Sequence, residues 1–302
     1  MRFPQFRGTG VALVTPFVDG EIDFQALENI IEHCIAGGVE YLVSLGTTGE
    51  SVTLTTKECH QVVDFTLKVV ADRLPVVVGM FGGNNTANLV ERIQQFDFSG
   101  CAGILSSNPS YNKPTQEGIF QHYMSIAEVC PVPIIIYNVP GRTSSNMSAQ
   151  TVVKLAKASE KFVAIKEASA SLTQAAEILK HKPKDFMLLS GDDPTALPLI
   201  ALGGQGVISV IGNAYPAAFS DMVRAALNGD MDTASKLHLD LFDLHQWLYI
   251  EGNPAGIKGA LELKKLCRRD VRLPLTALSD LNYRHLWAEM RQVRASLALK
   301  TS

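Results

Sequence analysis

Phe162-Val163-Ala164-Ile165-Lys166 is the stretch on which the fold reading turns. Its apolar run is too short for a helix and shows no polar alternation. Val163–Lys166 therefore reads as a strand buried on both faces, as strands of parallel sheets are. Seven similar runs occur at Val11–Val14, Tyr41–Leu45, Val76–Gly79, Gly103–Ser106, Ile134–Tyr137, Met187–Ser190 and Val207–Ile211. They recur about every 20–35 residues, the spacing of a strand plus a crossover helix.

The segments between them carry helix signals. Asp23 precedes Phe24, Leu27, Ile30, Ile31 and Cys34 at helical spacing, and Gly37-Gly38 supplies the stop. Thr55 and Glu58 form a capping box. Thr115, Ser148 and Ser171 are N-caps by position, and Asp193-Pro194 predicts a cap followed by proline. Eight strand–helix units close most economically into a (β/α)8 TIM barrel. An open doubly wound sheet is the alternative, but no GxGxxG follows the first strand. After Gly229 the pattern changes to helices at Asp232–Tyr249, Pro254–Cys267 and Leu278–Leu297. The expected organisation is a barrel over residues 1–229 and a C-terminal three-helix extension over 230–302.

Composition narrows the function classes. The 302-residue chain carries 27 Lys and Arg against 30 Asp and Glu, a net charge of −3, and is 46% hydrophobic. That balance excludes intrinsic disorder, and without a basic block it argues against a nucleic-acid partner. The uncharged stretch 194–220 is interrupted by Gly203-Gly204-Gln205-Gly206 and prolines. It reads as helix, turn and strand, not as a membrane span. Five scattered cysteines without ligand spacing predict reduced thiols. The N-terminal residues lack an apolar signal core. A cytoplasmic protein is expected.

Barrel enzymes place their chemistry at the carboxyl ends of the strands. Unusual polar residues collect there: Gly46-Thr47-Thr48-Gly49-Glu50-Ser51, Asn108 to Asn112 with Tyr111, Tyr137 to Thr143 with Arg142, Lys166-Glu167, and Ser190-Gly191-Asp192-Asp193. Lys166 is the most informative. A lysine leaving an apolar strand loses ammonium solvation, which favours the free amine as a nucleophile toward carbonyls; the alternative is a lysine snorkelling to solvent. The Thr-Thr turn suits a carboxylate or is an ordinary polar turn. Arg142 offers a planar fork to a substrate carboxylate or is a solvated charge. Asp193 is more simply a helix cap than a metal ligand.

With those residues in hand, the chain resembles the dihydrodipicolinate synthase family, in the N-acetylneuraminate lyase superfamily of class I pyruvate aldolases. The resemblance runs from Gly8 through Pro254. It rests on GTTGES at 46–51, YNVPxRT at 137–143, IKEAS at 165–169 and SGDD at 190–193. It implies condensation of pyruvate with L-aspartate 4-semialdehyde in the diaminopimelate route to lysine, with no cofactor and no metal. It implies Lys166 as the Schiff-base lysine, Tyr137 as the proton shuttle, and Thr47 and Tyr111 as its relay partners. Tyr111 would come from a neighbouring subunit, within a homotetramer built of tight dimers. Thr48 would contact the pyruvate carboxylate and Arg142 that of the semialdehyde, while Gly191 and Ile208 line the site through backbone groups. Sugar-acid lyases and aldolases share the Tyr/Lys pair; Arg142 favours the dipicolinate branch. A non-catalytic binding barrel would have no use for the relay.

The resemblance lapses in one region. Lysine-inhibited members carry a glutamate and a histidine in a cleft at the tight-dimer interface. Here Asn88 stands at the glutamate position, and Thr56 and Cys59 stand in the histidine region. Ser110 replaces an aromatic, whereas Ser51 and Asn84 remain. Without the carboxylate an ammonium loses its natural partner, so weak or absent feedback inhibition by lysine is expected.

Overall fold

The computed structural model describes residues 2–298. Residues 1 and 299–302, the outer ends of the expected barrel and extension, lie outside the described residues. Eight parallel strands close into a barrel: β1 Gly8–Ala12, β2 Tyr41–Ser44, β3 Val76–Val78, β4 Gly103–Ser107, β5 Ile134–Asn138, β6 Phe162–Glu167, β7 Met187–Ser190 and β8 Gly206–Ser209. Adjacent strands pair in chain order, and β8 closes on β1 with Gly10 opposite Ile208. All eight expected runs are therefore strands. The first begins three residues earlier than its apolar run, and the last stops at Ser209 because Ile211–Asn213 turns into a 3-10 helix.

The crossover helices are α1 Phe24–Ala36, α2 Thr56–Val70, α3 Thr86–Gln95, α4 Gln116–Val129, α5 Ala149–Ala158, α6 Leu172–His181, α7 Ala196–Ala201 and α8 Pro216–Leu227. Asp23, Thr115, Ser148 and Ser171 each accept a backbone N–H as caps, and the Thr55–Glu58 box closes in both directions. Asp193 does not cap. Helix α7 starts after Thr195 without a side-chain cap. The buried Asp193 carboxylate instead accepts the N–H groups of Val210 at 3.0 Å and Ile211 at 2.9 Å, pinning the loop after β8. Two backbone donors on another strand end outcompete a local cap, a preference invisible in the sequence. A short ribbon, Phe17–Val18 paired with Glu21–Ile22, was also not anticipated.

Two apolar layers result from strand alternation. Ala12, Tyr41, Val43, Val77, Leu105, Ile135, Ala164, Leu189 and Ile208 fill the barrel. Val11, Leu42, Val78, Ile104, Ile136, Ile165 and Leu188 face the helices. At β5–β6 the register slips by one residue between Ile134 and Ile135. Val163 and Ala164 then both join the inner layer. The slip decides the orientation of the strand end: after Ala164, alternation turns Lys166 inward and Glu167 outward.

After β8 and α8 the chain continues as α9 Met231–Phe242, α10 Leu244–Tyr249, α11 Ala255–Leu263 and α12 Asp280–Ala298. The first expected helix is thus divided at Asp243. Leu241, Leu244, Leu248, Ile257, Leu261, Leu278 and Leu286 join the same apolar layer as the crossover helices. Among the described residues no helix is long and apolar enough to cross a membrane, and all five cysteines are free thiols.

Candidate active site

Tyr137 and Lys166 are register partners at the carboxyl ends of β5 and β6. Both are buried, 6% and 5% exposed. The Lys166 Nζ lies 4.4 Å from the centroid of the Tyr137 ring, so its stem runs inside the barrel mouth and not out to solvent. Gly191, just past β7, makes the room: a Cβ there would stand 2.6 Å from the Ala168 Cβ and 3.0 Å from the Lys166 Cγ. Ile208 packs in the inner layer with Tyr137 and Leu189.

Behind this pair, Glu167 and Asn138 are buried register partners facing the other way. The Glu167 carboxylate accepts the Asn138 Nδ2 at 3.0 Å, the Gln174 Nε2 at 2.9 Å and the Ser169 N–H at 2.7 Å. A buried carboxylate so fully hydrogen-bonded is stable in place. It locks the two strand ends that present Tyr137 and Lys166.

The loop after β2 forms a 3-10 turn, Thr47–Gly49. Such a turn leaves its first N–H groups, those of Thr47 and Thr48, without partners within the turn. Thr47 is exposed on the wall of a cleft of about 290 Å³, shared with Gly46, Asn108, Tyr137, Arg142 and Thr143. Thr48 is buried, and its Oγ1 accepts a hydrogen bond from the Asn253 Nδ2 at 2.9 Å. Arg142 sits in the helical turn Pro140–Thr143 after β5, and its Nη2 donates to the Asn253 carbonyl at 3.5 Å. Seven of the eight candidate residues thus gather at one end of the barrel. Tyr111 stands apart, 90% exposed, with a left-handed φ of 65° and its N–H bonded to the Thr143 carbonyl at 3.1 Å. Val52, 93% exposed, also lines this cleft.

Four residues near the site have roles that the sequence did not assign: Lys258 and its partner Glu50, then Asn253 and Tyr249. Lys258 of α11 is fully buried and pairs with Glu50 at 2.5 Å. Its ammonium also donates to the Asp270 carbonyl at 2.8 Å and lies 4.1 Å from the Phe17 ring centroid. Burial pulls the Lys258 ammonium below the ordinary lysine range, and the Glu50 carboxylate opposes that pull. The Glu50 carboxylate also accepts the Arg272 N–H at 3.1 Å. The signal was there: a lone lysine inside Ala255-Gly256-Ile257-Lys258-Gly259-Ala260-Leu261 needs a buried anion. Asn253 is the third. Tyr249 is the fourth; burial and the Asp193 and Asp192 carboxylates raise its hydroxyl well above the usual phenol range, with Arg142 opposing.

A second cleft, about 540 Å³, is lined by Ser51, Thr56, Cys59, His60, Asn88 and Arg92 among others, and no carboxylate is on its wall. The Arg92 Nη2 donates to the Met80 carbonyl at 3.0 Å.

Residues 5–293 match the model of the dihydrodipicolinate synthetase family. The 4-hydroxy-tetrahydrodipicolinate synthase of Flavobacterium psychrophilum is 49% identical over 276 residues, which span 91% of this chain and 94% of the relative. The crystal structure of dihydrodipicolinate synthase from Aquifex aeolicus superposes with a TM-score of 0.92 at 41% identity, covering 96% of this chain and 98% of that one. The pyruvate complex of the chloride-inhibited enzyme from Acinetobacter baumannii gives 0.92 at 37% identity, covering 95% and 98%.

Proposed function

Because the chain belongs to the dihydrodipicolinate synthetase family, an enzyme family of the diaminopimelate route to lysine, we propose that it carries out its pyruvate condensation through an imine on Lys166. The observation that carries this reading is the buried Lys166–Tyr137 pair, with an amine at the mouth of an apolar barrel and a phenol against it. The acceptor is L-aspartate 4-semialdehyde.

The Lys166 amine adds to the pyruvate ketone, and water leaves to give a protonated imine. That imine is an electron sink, so a methyl proton departs and an enamine forms. The enamine carbon adds to the aldehyde, whose oxygen takes up a proton as a hydroxyl. The amino group of the semialdehyde then attacks the imine carbon. Lys166 leaves as the ring closes, and the free amine is restored. Pyruvate's carboxylate meets the Thr48 hydroxyl and the N–H groups of the Thr47–Thr48 turn. Arg142 receives the carboxylate of the semialdehyde, since a guanidinium fork matches that group in a way that a hydroxyl-rich sugar-acid site does not need.

Tyr137 moves protons to and from the imine. A free phenol, with a pKa near 10, is a poor base, so the shuttle needs short hydrogen bonds to Thr47 and Tyr111. Tyr111, exposed on its own chain, serves the site of a neighbouring subunit, and tight dimers of this kind pair into a homotetramer. Gly191 and Ile208 shape the wall around the imine. The enzyme works in the cytoplasm without cofactor or metal. Tyr137→Phe is expected to lower turnover by about tenfold or more with an unchanged melting curve. A rate equal to wild type would remove the shuttle role.

Substrate choice is read by a coupled assay. Turnover with aspartate semialdehyde, and none with N-acetylneuraminate or 2-keto-3-deoxygluconate, is the expected pattern; the reverse would move the chain to the sugar-acid branch. Free lysine is expected to leave the rate nearly unchanged, because the second cleft offers its ammonium groups no carboxylate. Half-inhibition at sub-millimolar lysine would contradict this.

A further inference from the structure

Thr48 has one hydroxyl proton and lone pairs that can accept. Its Oγ1 accepts the Asn253 Nδ2 at 2.9 Å, and both side chains are buried, 2% and 6% exposed. That bond occupies the oxygen and turns the hydroxyl proton away from Asn253. The Asn253 Oδ1, on the same amide, is buried without a partner. An unsatisfied buried acceptor costs stability, and an apolar residue of similar size would avoid it. The amide therefore has a use other than holding the fold together.

We infer that Asn253 is a positioning residue for the substrate carboxylate: its amide fixes the Thr48 hydroxyl as a donor, so that pyruvate is met only by hydrogen-bond donors. This rests on the reading that Thr48 contacts the pyruvate carboxylate. Were the amide reversed, the hydroxyl would give its proton to Asn253 and present lone pairs to an anion. Asn253 also touches the second anion group, since its carbonyl accepts from Arg142. The segment entering α11 thereby links both recognition groups, and the buried Lys258–Glu50 pair ties it to the same turn.

The test uses the full-length enzyme and pyruvate as the varied substrate. Asn253→Asp keeps the shape but replaces the donor by an acceptor. It is expected to raise KM for pyruvate at least tenfold while kcat stays within about threefold, and the KM is expected to fall again as the pH is lowered and the new carboxyl regains a proton. Asn253→Ala gives a second reading through a double-mutant cycle with Thr48→Val. If Asn253 acts through the Thr48 hydroxyl, the alanine change adds little KM once that hydroxyl is gone. An unchanged KM in Asn253→Asp, a KM rise independent of pH, or additive effects in the cycle would each overturn the inference. Borohydride trapping at saturating pyruvate separates the two levels. Wild type that fails to trap pyruvate overturns the underlying reading, whereas variants that trap it with unaltered KM overturn only the role of Asn253.

Discussion

Lys258→Met is expected to lower the free energy of unfolding by about 3–5 kcal/mol, the penalty for stranding one buried charge. That is a large share of the roughly 5–15 kcal/mol that holds a typical protein together. The reason lies in the seclusion of the pair. Lys258 and Glu50 side chains are 0% and 1% exposed, so water cannot replace the missing ammonium. Met fills a similar volume, which confines the loss to electrostatics and hydrogen bonding. Adding Glu50→Gln removes the stranded charge and is expected to restore part of the stability. Denaturant titration followed by far-UV circular dichroism checks both. A single variant within about 1 kcal/mol of wild type would show that the pair does not anchor the extension to the barrel.

Lys166→Met is expected to reduce turnover on the order of 10³-fold or more, as removal of a nucleophile does. Its stem packs against Gly191 and Tyr137, and methionine reproduces most of that volume, so the melting transition should change little. Steady-state assay with saturating pyruvate and semialdehyde measures it. Loss of less than about tenfold would mean that the carbonyl is activated without covalent attachment. The pairing of a large kinetic effect here with a small stability effect is the opposite of that expected at Lys258. Together the two buried lysines distinguish chemistry from architecture.

Much of the fold was legible because β-branched runs and helix caps are local signals. Seven strand starts fell within a residue or so of the apolar runs, and Thr55, Thr115, Ser148 and Ser171 cap as their positions imply. Asp193 was misread because its partners, the Val210 and Ile211 N–H groups, lie on another strand end. The inward turn of Lys166 was not decidable by alternation. Val163 faces the barrel interior, and counting by twos from it would send Glu167 inward; the slip opposite Ile134 and Ile135 reverses this. The polar candidates, such as Thr47, Thr48, Tyr137, Arg142 and Lys166, stood out as polar groups after apolar strands, whereas Gly191 and Ile208 entered only through the family resemblance. Asn253 did not, because its partners Thr48 and Arg142 are far away in the chain. Tyr111 is a different case: its side chain is exposed on its own chain, and its relay role is implied by the family resemblance alone.

The covalent link is tested most directly by borohydride reduction in the presence of pyruvate, followed by peptide mass mapping. Stable modification by one reduced pyruvate, confined to the peptide that holds Lys166 and absent without pyruvate, is the result expected. Modification at another lysine, or none in an enzyme that still turns over, would contradict the account.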